Sequence, residues 1–177
     1  MKKTLYSIGI LVWLAFFSAC NMATPENYFD RVVLNANGFA YFGGEGAMRI
    51  LSMPPAKLKE GSTTETVQMT RKEMVEMSIT QMEQNLEKIK KLPDDNEARE
   101  MVQTSLRLYD IVLPAYKNEY REMAKLFDAG APKEQIEALA QRIDEKYYKD
   151  YEQVFTKLTE LGKVYAGKHD IKVNWGR

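Results

Sequence analysis

Apolar residues recur at spacings of three and four along four stretches of this chain, and each stretch predicts one amphipathic helix. The first, 25–51, sets Phe29, Val32, Val33, Ala36, Ala40, Gly43, Ala47 and Ile50 on one face. Gly38, Gly43, Gly44 and Gly46 interrupt it, each costing roughly 1 kcal/mol of helix propensity against Ala. Either packing holds the helix there, with small residues making room for bulky neighbours, or the chain hinges and floors a cleft around Gly43-Gly44-Glu45-Gly46. The second helix opens on a capping box, Thr70 with Glu73, and its seam is Val75, Ile79, Met82, Leu86 and Ile89. Asp95 or Asn96 caps the third, whose seam is Val102, Ser105, Tyr109, Val112, Tyr116, Tyr120, Met123 and Phe127. Pro114 is expected to kink it and free the Asp110 carbonyl. Gly130-Ala131-Pro132 reads as a C′ glycine followed by an N1 proline, a turn that forces antiparallel neighbours. The fourth runs to about Tyr165, with Ile136, Leu139, Ile143, Tyr147, Tyr151, Val154, Leu158 and Leu161 in its seam.

These periodicities predict an all-α fold, an antiparallel up-down four-helix bundle over 27–165, preceded by a signal-peptide helix. No run reads as a convincing strand. The stretch 52–68, with Pro54-Pro55 and a polar Gly61 to Thr66, reads as a long loop, a linker or a partner-contact segment. In the tail, 166–177, Ile171, Val173 and Trp175 alternate, so it is expected to be extended and to lie along the bundle. The turn near Gly130 sets Tyr109 opposite Tyr151, with Tyr116 and Tyr147 close by.

The start of the chain has another pattern. Lys2 and Lys3 precede a nearly continuous apolar run from Thr4 to Phe17, too short for a spanning helix of about 20 residues. Ser18, Ala19 and Cys20 follow. This segment resembles the lipobox of bacterial lipoproteins, although Phe17 stands where that family favours Leu. The resemblance implies cleavage between Ala19 and Cys20, a thioether-linked diacylglycerol with palmitate-type chains on Cys20, and a mature chain anchored to the membrane by lipid. The other readings are a plain secretory signal with an incidental cysteine, or an uncleaved anchor. A polar tether, 20–26, would join anchor to bundle. Asn21 replaces the Asp that retains such proteins at an inner membrane, which favours the outer membrane where one exists. The expected location is thus the cell envelope, on its extracytoplasmic side.

Charge and side-chain chemistry narrow the function. Acidic and basic residues balance at 25 each, and losing the two signal lysines leaves about −2. Without a basic surplus, nucleic acid is not an expected partner. The single histidine, His169, and the absence of any Glu-x-x-His argue against a carboxylate di-metal site. A lone cysteine removes disulfides, Cys-x-x-Cys pairs and covalent haem. The chain is therefore read as non-enzymatic, with no cofactor and no metal. Tyr109, Tyr116, Tyr147 and Tyr151 form a candidate mid-bundle pocket for an aromatic or sugar-like ligand. The alternative is structural, with their hydroxyls pairing to backbone or to a glutamate such as Glu119.

Spaced aromatics Tyr109, Tyr116 and Tyr120, the Phe155–Tyr165 stretch and the closing Lys168-His169-Asp170-Ile171 resemble uncharacterised helical surface-lipoprotein families of bacteria. That resemblance implies fold and location, and assigns no catalytic residue. The expected function is binding of a protein partner or an envelope component, or else of a small ligand in the tyrosine pocket.

Overall fold

A computed structural model describes residues 23–175 of the chain; the expected signal segment, with Ala19 and Cys20, lies outside the described residues. The described chain is mostly helical, with five helices and one two-stranded hairpin. None of these helices is long and apolar enough to cross a membrane.

Helix α1 (25–39) begins where Thr24 accepts the Asn27 N–H at 3.3 Å and Pro25 takes the first helical position. It changes pitch twice, from a regular turn through a wide π segment, Asp30–Leu34, to a tight 3-10 segment, Asn35–Phe39. Of the two readings of 25–51, the unbroken helix does not form and the break near the glycines does. The chain turns at 40–43, and a separate helix, α2 (Gly44–Ser52), follows. Gly43 has φ +127°, a backbone state closed to residues with a Cβ. A Cβ on Gly44 would overlap the Ala140 carbonyl, and one on Gly46 would overlap the Tyr41 carbonyl. Ala40, expected on the apolar face of the first helix, is exposed at this turn.

The stretch expected to be an irregular loop is a hairpin, β1 (Ala56–Leu58) and β2 (Thr66–Gln68), antiparallel with Lys57 opposite Val67. All six strand residues are exposed. With no buried face there is no hydrophobic alternation to read, which is why the strands escaped prediction.

Helix α3 (Arg71–Lys90) carries the predicted capping box, with Thr70 Oγ1 accepting the Glu73 N–H at 3.1 Å and Glu73 accepting the Thr70 N–H at 2.7 Å. Asp95 then accepts the N–H groups of Glu97 and Ala98 ahead of α4 (99–128). Pro114 is carried inside α4 on an exposed face, and the chain widens directly after it into a π segment, Tyr116–Tyr120. Past α4 the Gly130 N–H bonds to Phe127 O and the Ala131 N–H to Leu126 O, a Schellman closure with Gly130 at φ +64°. Pro132 sits at the N-cap rather than the first helical position of α5 (133–168), which also widens, at Asp144–Tyr148.

Packing follows from these turns. The α4–α5 hairpin is the backbone of the fold, and α3 runs against both halves of α4. Asp128 ties the end of α4 to the start of α3, accepting the N–H groups of Arg71 and Lys72 at 3.0 Å each. Helix α1 lies against the half of the α4–α5 hairpin remote from the turn, 99–115 and 149–168, while α2 covers the turn-proximal half, 121–128 and 133–143. Ser105 Oγ donates to the Val32 carbonyl at 3.1 Å, which pins α1 on α4. The tail comes back along the remote half, where Trp175 meets Phe29 edge-on at 5.8 Å and His169 pairs with Glu97 at 2.9 Å.

Candidate functional site

The α1–α2 turn, the wide segment of α4 and the wide segment of α5 all fall at one level of the molecule, and that level is where the tyrosines gather. Tyr120 accepts the Gly43 N–H at 3.0 Å and donates to the Gly43 carbonyl at 3.1 Å, so one phenol closes both backbone groups of the residue with the unusual φ. Asp144 Oδ1 accepts the next N–H, that of Gly44, at 2.7 Å. Tyr151 donates to the Phe39 carbonyl at 2.6 Å. Buried Phe42, from the turn itself, packs against Tyr120, Tyr147 and Tyr151 with ring centroids 5.8, 6.4 and 4.7 Å away. Backbone that leaves helical pairing must find partners when buried, and here tyrosines from α4 and α5 supply them.

The four tyrosines expected to line a pocket are each placed by this arrangement. Tyr109 meets Phe39 edge-on at 5.1 Å, and Tyr151 bonds the same residue's carbonyl, so the two converge on Phe39. Tyr116 stacks on Tyr120 at 4.1 Å. Tyr147 donates to Glu119 Oε2 at 3.0 Å, the glutamate pairing foreseen from sequence, and Lys146 holds the other oxygen at 2.9 Å. Burial pushes the Tyr109 and Tyr116 hydroxyls up to about 12, and drives those of Tyr120 and Tyr151 higher still. All four thus stay neutral donors near neutral pH. Tyr109 differs in one respect: its hydroxyl is buried and closes no hydrogen bond of normal geometry. The Asn85 side chain lies near enough to offset part of the burial effect on that hydroxyl, while its Oδ1 accepts from Gln81.

Two surface depressions border this level. The first, about 550 Å³, lies over the α1–α2 turn and is lined by Tyr41, Gly43, Glu45, Arg49, Asp144 and Tyr148. Arg49 sits over the Tyr41 ring, 4.2 Å from its centroid. The second, about 790 Å³, runs between the hairpin and α3 and is rich in methionine, with Met69, Met74, Met77 and Met82 in its walls beside Tyr116 and Asn85. Sequence reasoning flagged the glycine turn as a cleft floor but missed Tyr41, Arg49 and Asp144. These are exposed residues off every helical seam; Tyr41 and Arg49 are signalled only by their nearness to the glycines, and Asp144, a hundred residues on, by nothing in the sequence. Among the described residues no group of three or more His, Cys, Asp or Glu is placed to hold a metal ion.

Compared with known proteins, the sequence matches no family model, and no curated protein or solved structure is detectably similar to it.

Proposed function

We propose that this chain is a lipid-anchored, extracytoplasmic protein of non-enzymatic type whose helical body binds an envelope component. In this reading Cys20 carries the lipid, the membrane is the first partner, and α1, α3, α4 and α5 form a four-helix bundle with α2 completing its turn-proximal half. The anchor rests on the lipobox-like order Phe17-Ser18-Ala19-Cys20. Two or three acyl chains suffice for stable attachment, since each buried CH₂ contributes about 0.8 kcal/mol.

The observation that carries the binding half is the rigid turn at 40–43. Its backbone is locked from below by Tyr120, Tyr151 and Asp144 while its outer face leaves Tyr41 63 % and Tyr148 40 % exposed. Preorganised, half-open aromatic surface is what recognition of a ligand uses. The test is expression of the full chain in a bacterium with labelled palmitate and a photo-crosslinking residue in place of Ala40, exposed at the edge of the same turn. Label, membrane sedimentation and an envelope adduct are expected together. Cys20→Ser should abolish label and sedimentation; a Cys20→Ser chain that still sediments with membrane sinks the anchor, and no adduct from the anchored chain sinks the binding.

A second reading, a small-ligand pocket at the level of the mid-bundle tyrosines, is favoured by the methionine-lined depression and by the buried Tyr109 hydroxyl, which closes no hydrogen bond of normal geometry and neighbours two residues of its lining, Phe39 and Asn85. Under it, a ligand polar group completes that hydroxyl, and Tyr109→Phe lowers ligand affinity while leaving the apo protein as stable as before.

A further inference from the structure

The cleft over the α1–α2 turn has a chemistry more specific than its shape. Glu45 and Arg49 are four residues apart on α2 with the acid on the N-terminal side, the spacing at which such pairs join. They do not join: the Arg49 guanidinium lies over the Tyr41 ring instead, and among the described residues neither side chain makes a salt bridge. Asp144 spends one oxygen on the Gly44 N–H and has no second hydrogen bond among the described residues. One wall therefore offers donors from Arg49, and the others offer acceptors from Glu45 and Asp144, between the exposed rings of Tyr41 and Tyr148.

Each common ligand class can be weighed against this lining. An anion such as phosphate would find one cation against two carboxylates, and the nearest loop N–H groups, those of Gly43 and Gly44, are already taken by Tyr120 and Asp144. A quaternary ammonium would favour the rings and carboxylates, but the Tyr41 face already holds a guanidinium that would repel it. A hydroxyl both donates and accepts, so it satisfies carboxylate and guanidinium at once. A molecule with several such hydroxyls on a ring that has apolar C–H faces fits both the polar walls and the tyrosines.

We propose that this cleft binds the end of a neutral oligosaccharide, with Tyr148 and the ring face of Tyr41 that Arg49 leaves open contacting sugar faces and Asp144, Glu45 and Arg49 holding its hydroxyls. The assignment rests on the reading of the chain as a binder of an envelope component, and it specifies that component as a glycan. The glycine turn makes the site possible. A Cβ at Gly43 would come within 3.0 Å of both the Asp144 carboxylate and the Tyr148 ring, so only glycine lets the two side chains sit at the cleft edge.

The experiment is titration of the full chain, solubilised in a detergent without a sugar headgroup, with neutral tetrasaccharides of glucose, mannose, galactose and N-acetylglucosamine. Inorganic phosphate and choline are run as the competing probes. Saturable binding of at least one tetrasaccharide is expected. Tyr41→Ala and Tyr148→Ala should each weaken it at least tenfold, and Asp144→Asn, which keeps an oxygen for the Gly44 N–H, several-fold. Val164→Ala, an exposed site on α5 away from the cleft, should bind as the parent does, and the melting transition of each variant reports that it is folded. Binding of no tetrasaccharide, equal binding by the folded tyrosine variants, or saturable binding of phosphate or choline alone overturns the proposal. The crosslinking test then separates the two claims. An envelope adduct from position 40 with no tetrasaccharide binding removes the glycan and keeps the binder; loss of both removes both.

Discussion

The α1–α2 turn and the 56–68 hairpin both interrupt helices, and they are held in opposite ways. In the turn, buried backbone groups of Phe39, Gly43 and Gly44 are closed by side chains from α4 and α5, distant in sequence. In the hairpin, every strand residue is exposed and, apart from the solvent-exposed Lys57–Glu73 ion pair to α3 at 3.7 Å, the partners are neighbours: Lys59 N–H to Glu65 O at 2.8 Å, Ser62 Oγ accepting from Glu65, and the Lys59–Glu65 ion pair at 2.7 Å. The difference teaches where irregular chain carries information about the whole fold. A tertiary-locked turn exists only when the rest of the molecule is in place, whereas a self-paired hairpin would survive changes elsewhere and contributes little to them.

That contrast can be broken by substitution. The largest effect is expected for Gly44→Ala, whose methyl would overlap the Ala140 carbonyl and force α2 off α5. A loss of about 3 kcal/mol is expected in denaturant unfolding; a change below about 0.5 kcal/mol would mean that α2 is not seated on α5 as described. Next is Tyr120→Phe, which strands the buried Gly43 N–H and leaves the Gly43 carbonyl with the Ala47 N–H alone. It should cost about 2 kcal/mol, and amide exchange at Gly43 should accelerate beyond that of α3 residues. If exchange at Gly43 is unchanged, the turn does not depend on the phenol.

Alkaline titration probes the same place without mutation. The ordinary tyrosine value is 10.0, and burial raises Tyr109, Tyr116 and Tyr165 to about 12 in the folded chain. A raised value means the folded state holds its protons longer, so this stabilisation is whole below pH 10 and is lost as pH climbs toward 12. Tyrosinate absorbance should therefore rise together with loss of helical circular dichroism in that window. Absorbance that rises at pH 10 for all tyrosines while the helices persist would contradict the burial described. The smallest effect belongs to the hairpin. Lys59 and Glu65 side chains are 58 % and 63 % exposed, and Lys59→Ala should shift stability by no more than about 0.5 kcal/mol. A larger loss would show that the hairpin is coupled to the core after all.

Legibility in the sequence followed the same divide. Thr70 with Glu73, Asp95, and the glycine at 130 were readable because each signal is complete within a few residues. The facing of α4 and α5 followed from that last turn, and the pairs Glu119–Lys146 and Glu100–Lys157 lie close to the predicted register. The break after Phe39 was concealed. Both α1 and α2 face the same α4–α5 hairpin, so Phe29, Val32, Val33, Ala36, Gly43 and Ala47 keep a helical spacing straight through the turn. Only the glycines hinted at it. The tyrosines were recognised as a group, yet their target, the backbone of a turn the periodicity hid, could not be read. The cleft residues Tyr41, Arg49 and Asp144 belong to no seam; the glycines stand beside the first two, and nothing local marks out Asp144.

The length of α1 has a geometric consequence. Under the proposed anchoring at Cys20, four positions before Thr24, α1 is the first element between the lipid and the cleft. Its three five-residue segments, at a rise of about 1.5 Å per residue, place the α1–α2 turn roughly 22 Å from the point where the helix starts. That distance exceeds the thickness of a lipid headgroup layer, so under that anchoring a helix standing along the membrane normal would carry the exposed tyrosines past the bilayer surface.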